Sequence, residues 1–139
     1  MLAVNKSPAP ILVTNTNPHI IQNKEIAIDV SLLYSVSGND ESFIRMMVLT
    51  FLKTMPETIK KIEESLKKQD WENVYRSAHF AKSSLSVIKV AEMLDWVVQV
   101  EVNAKNEIDL ELLPGLLEKI KQKFAAAEEF LSERFNEQS

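Results

Sequence analysis

Apolar residues recur at intervals of three and four along most of this chain, and four long segments carry that pattern far enough to predict amphipathic helices. The longest is predicted from Asp40 to about Gln69, with Phe43, Ile44, Met47, Val48, Phe51, Leu52, Ile59, Ile62 and Leu66 turned inward. Glu57, Lys60, Lys61, Glu64, Lys67 and Lys68 form its wet face, and Pro56 predicts a kink near Thr54-Met55 because it removes one backbone donor. Asp70 caps the next helix, with Asn73 at its third position, and the helix is expected to reach Val87 or Ile88. Its apolar stripe is Val74, Ala78, Ala81, Leu85 and Ile88. A further element covers about 90–104, with Ala91, Leu94, Val97 and Val98 as the inward row. Val97 to Val102 also alternates like a strand, but no strand partner is evident elsewhere, so helix is preferred. The last helix spans about 109–135, with Pro114 in its opening turn and Leu117, Ile120, Phe124, Ala127 and Leu131 as its stripe.

A shorter helix precedes these, from Asp29 as its cap through Leu32, Leu33 and Val36 to the stop signal Ser37-Gly38-Asn39. Short connections between long amphipathic helices imply antiparallel neighbours. The expected fold is therefore all-α, an antiparallel up-down four-helix bundle over residues 28–136 with a short additional N-terminal helix. Residues 1–24 hold Pro8, Pro10, Pro18 and four asparagines without a sustained period, and read as a flexible N-terminal arm. Ile11-Leu12-Val13 is a short extended candidate there, and His19 reads as a solvated tail residue.

Composition narrows the function. A chain of 139 residues can bury a core of its own, and 45% hydrophobic with 26% charged residues fits a globular domain. With no cysteine, disulfides and thiolate zinc sites are excluded. A net charge of −4 without a basic tract argues against nucleic acid as a partner. The longest apolar run, around Met46 to Leu52, is too short to span a bilayer, and no basic-then-apolar leader opens the chain, so a cytoplasmic protein is expected. No second histidine lies three or four residues from His79, which leaves no metal-ligand spacing. No paired carboxylates or nucleophile-base set suggests a stand-alone enzyme.

His79 is the residue with chemistry to offer. At about 100° per residue it falls opposite the apolar stripe, on a face shared with Glu72, Tyr75, Arg76, Lys82, Ser83 and Ser86. An exposed neutral imidazole can attack phosphorus, and Lys82, three residues on, lies within reach of phosphoryl oxygens. Between Trp71 and Lys89 stand Arg76, Lys82 and Lys89 against the single acid Glu72, a local positive patch suited to an acidic partner pocket.

The stretch His79-Phe80-Ala81-Lys82-Ser83-Ser84 resembles the His-x-x-Lys-Gly signature of histidine-containing phosphotransfer (Hpt) domains. Phe51 to Pro56 is similar to the proline-marked middle of that family's second helix, and Asp70-Trp71 to the start of its histidine helix; the likeness covers about 28–135. It implies a phosphorelay intermediate, with His79 as phosphoryl acceptor and Lys82 steadying the charge. Tyr75, Arg76, Phe80, Ser83 and Ser86 would dock the partner. Receiver domains of response regulators, or hybrid sensor kinases, are the implied partners; they would bring the magnesium, and this chain would bind no cofactor. It would be a carrier and a monomer, with no membrane partner. The other reading is a helical adaptor that binds a receiver or kinase without being phosphorylated. Three positions depart from the family pattern: Ser83 replaces a glycine, Ala81 a larger aliphatic residue, and Lys89 a glycine that often ends the helix.

Overall fold

The computed structural model describes residues 17–136. Helix α1 (Ser31–Ser37) leads into α2 (Glu41–Lys67), α3 (Trp71–Leu85), α4 (Met93–Asn106) and α5 (Leu113–Leu131), and the last four form the bundle. Three short strands, β1 (Ile20–Gln22), β2 (Ala27–Asp29) and β3 (Lys89–Val90), make an antiparallel sheet in the order β1-β2-β3.

The caps read from sequence are in place. The Asp40 side chain accepts from the Phe43 amide at 3.2 Å, and Asp70 does the same for Asn73 at 3.2 Å. Asp29 accepts from the Ser31 amide at 2.8 Å, one residue ahead of the cap position, which Val30 occupies. Gly38 closes α1 at φ 65°, a left-handed conformation that glycine adopts without a Cβ clash. Helix α2 runs through Pro56 without a break, and Thr58 nearby donates its hydroxyl to the Thr54 carbonyl at 3.1 Å.

Every member of the α5 stripe is buried, and Phe124 meets Phe51 of α2 edge to face at 5.9 Å. The stripe of α3 is equally sealed, from Val74 through Ile88. In α2 the innermost residues are Ile44, Val48, Phe51, Met55, Ile59 and Ile62, while Phe43, Met47, Leu52 and Leu66 are partly buried against them.

Several expectations change. The arm expected over 1–24 extends too far, because Ile20–Gln22 pairs with Ala27–Asp29 and Ile21 is buried opposite Ile28. The Asn23 side chain organises the turn, accepting from Glu25 and Ile26 at 2.8 and 2.9 Å. Strands of two or three residues are too short for a period to show. Ile11-Leu12-Val13 lies outside the described residues. His19 is not a free tail residue: its ring stacks on Tyr34 at 4.0 Å.

Helix α3 ends at Leu85, short of Val87, because the chain leaves the helix to lay Lys89 and Val90 beside β2. Ile88 still reaches the core. The 97–102 stretch is helical as preferred, although strands do exist elsewhere. Its inward row is Met93, Val97, Val100 and Ala104, whereas Ala91 is exposed and Leu94 and Val98 are half-buried. Helix α4 starts only at Met93, after Ala91 has bonded to Ala27 at the sheet end, and that start sets its rotation.

Candidate functional site

The Asp70 cap fixes where α3 begins, and burial of Val74, Ala78, Ala81 and Leu85 fixes its rotation. The opposite face must then point outward, and the His79 side chain is 59% exposed. The two alanines are small enough to admit close helix neighbours, so the space left by the short side chain at Ala81 is filled by packing and Ala81 is 1% exposed.

Across the α3–α4 seam stands Glu101, whose side chain is only 10% exposed. One carboxylate oxygen lies 2.6 Å from His79 Nδ1, and the other lies 2.8 Å from Lys82 Nζ. Burial pushes the Glu101 carboxyl up, but hydrogen bonds and charge from Lys82 and His79 outweigh it and hold the group below the ordinary glutamate range. An ionised carboxylate only accepts, so Nδ1 carries the proton in this contact. In the neutral ring the lone pair is then on Nε2, the nitrogen outside the bond. The arrangement leaves Nε2 outside the bond and ties the Lys82 ammonium to the same carboxylate as the ring.

Sequence reasoning placed His79 and Lys82 together, and the structure joins them through a residue it missed. Glu101 sits in Val100-Glu101-Val102, and one acid within an apolar run was the available signal. Of the expected docking residues, Tyr75 lies on the same seam, half-buried, with Lys105 Nζ 5.4 Å above its ring. Arg76 is exposed but held by Glu72 at 2.6 Å, which offsets part of the local positive charge. Phe80 is 55% exposed and borders a groove of about 310 Å³ between α2 and α3, lined also by Thr54, Glu57, Lys61 and Ser77. The two serines turn back on their own helix: Ser83 donates to the His79 carbonyl at 3.3 Å and Ser86 to the Lys82 carbonyl at 2.9 Å. Among the described residues no cluster of three or more acidic, histidine or cysteine side chains could hold a metal. No helix among them is long and apolar enough to cross a membrane.

Comparison with known proteins bears on the fold and the family. The structure is similar to that of histidine-containing phosphotransfer protein B from Pseudomonas aeruginosa PAO1, with a TM-score of 0.71 and 19% identity over 88% of this chain and 98% of that one. At such identity the likeness speaks to the helical bundle. Among curated proteins none matches. Hpt domains are phosphocarrier modules of two-component signalling that interact with receiver domains. The Hpt domain model matches residues 46–130, a span that takes in the whole of α3 and α4 with the Glu101 cluster between them, and the chain therefore belongs to the Hpt domain family.

Proposed function

We propose that this chain is a phosphorelay intermediate whose His79 accepts a phosphoryl group at Nε2 and passes it on. The donor is a receiver-domain aspartate or a hybrid sensor kinase, and the acceptor is another receiver. The observation that carries this reading is the Glu101 carboxylate shared between His79 Nδ1 and Lys82 Nζ. In the transfer, the Nε2 lone pair forms the N–P bond as the aspartyl O–P bond breaks, and the aspartate leaves as a carboxylate. The Nδ1 proton stays on the Glu101 bond, which favours the positive ring that forms. Lys82 offers its ammonium to the phosphoryl oxygens. Transfer of this kind depends on positioning and charge stabilisation, both of which a carrier can supply from its surface.

The receiver brings the magnesium and the rest of the catalytic groups; this chain contributes the placed nucleophile. Tyr75, Arg76, Phe80, Ser83 and Ser86 surround it as the docking face. The protein is proposed to act as a cytoplasmic monomer.

Mixing the full chain with a phosphorylated receiver tests the assignment. Acid-labile, base-stable label should appear on residue 79. His79→Gln should take no label while keeping its helicity and melting temperature nearly unchanged, since an exposed side chain adds little packing. A receiver that binds the wild-type chain without labelling it would replace this reading with the adaptor one.

A further inference from the structure

We propose that Lys105 is a second cation of the phosphoryl site, parked on the ring of Tyr75 one helical turn from His79. The inference rests on the function proposed above and extends the set of residues that serve it. Contacts across the α3–α4 seam run in opposite chain directions. His79 meets Glu101, and Tyr75, four residues before the histidine, meets Lys105, four residues after the glutamate. Residues four apart share a helical face, and one turn is about 5.4 Å long. The Lys105 ammonium is thus held on the same strip of surface as the imidazole, about one helical turn along it.

The state of the other cations makes that position matter. Lys82 is engaged by Glu101 at 2.8 Å, and Arg76 by Glu72 at 2.6 Å. A phosphoryl group on Nε2 therefore finds Lys82 already sharing its charge with a carboxylate. Lys105 forms no ion pair among the described residues; the contact it makes is with the face of an aromatic ring. A cation–π contact at an exposed site is weak and is readily exchanged for a dianion. The flexible four-carbon stem of lysine lets the ammonium swing by about one turn without moving the helix. Tyr75 acts in this scheme as a positioning residue: its ring keeps the exposed ammonium at the seam.

The test is the partition of phosphoryl between a receiver and the full chain at equilibrium, together with the lifetime of phosphohistidine. Lys105→Ala should lower the bound fraction on His79 about threefold relative to the receiver, the size expected of one solvent-exposed charge near a phosphoryl oxygen. Lys105→Arg should restore it, and rising salt should shrink the gap between wild type and Lys105→Ala. Tyr75→Leu should show a smaller loss; if that variant does not fold, the two Lys105 variants decide alone. A Lys105→Ala protein with wild-type partition overturns the inference and leaves the functional reading intact. Equal losses in Lys105→Ala and Lys105→Arg overturn it too, because charge would not be the cause. Absence of label on wild-type His79 removes the functional reading and this inference together.

Discussion

Glu101 Oε2 lies 2.6 Å from His79 Nδ1, and that contact decides which nitrogen of the ring is available for chemistry. The carboxylate is almost sealed, so its bond to the ring is shielded from competing water. Its second oxygen holds Lys82 at 2.8 Å, and a single side chain of α4 thereby orders two side chains of α3.

Replacing Glu101 by Gln should disturb both partners. A glutamine amide has one accepting oxygen in place of two and presents NH2 donors that repel Nδ1–H or the ammonium. We expect nitrogen-detected NMR of the imidazole to show the Nδ1–H tautomer in the wild type and a mixture in the variant. Phosphotransfer from a receiver should slow by about tenfold, the lower range for a group that orients a reacting partner. Identical tautomer ratios in the two proteins would reject the positioning role.

The same residue predicts a pH dependence. Its folded-state pKa lies below the ordinary glutamate value of 4.5, so folding favours the ionised form. The resulting stability is fully present above that value and is lost as pH falls through the lower, folded-state value. Melting curves from pH 7 to pH 3 should therefore fall more steeply for the wild type than for Glu101→Gln. Parallel curves would show that the carboxylate contributes nothing to acid sensitivity.

Ala81 faces inward on α3 and is 1% exposed. Leucine there would overfill the core, and unfolding by urea should show a loss of about 1–3 kcal/mol. The larger side chain should also push α4 away and weaken the Glu101 contacts, which the imidazole NMR signal would report. A variant as stable as the wild type would mean the bundle holds a void at this position.

Ser83 stands where the family usually has glycine, and its hydroxyl is turned back to the His79 carbonyl at 3.3 Å. Ser83→Gly should cost about 0.5 kcal/mol of helix stability and open the surface beside the histidine. Faster transfer with a slightly lower melting temperature is the expected pair of outcomes. Slower transfer at equal folding would show that the serine helps the partner dock.

The sequence by itself determined where the bundle's helices are, how α2, α3 and α5 are rotated, and that His79 and Lys82 share an outward face. Those properties follow from local spacing: three- and four-residue periods, an Asp before each of α2 and α3, and Gly38 after α1 all act within one or two turns of chain. Tertiary structure alone decided the rest. Ile21, Ile28 and Val90 come together over some seventy residues of chain, in strands too short for alternation to be visible. The rotation of α4 depends on how its start is tied to that sheet. Glu101, twenty-two residues from His79, meets it only because α3 and α4 pack antiparallel, and a buried carboxylate is tolerable there only with two donors waiting across the seam. Spacing along one helix can propose a nucleophile; its partner on the next helix is chosen by packing.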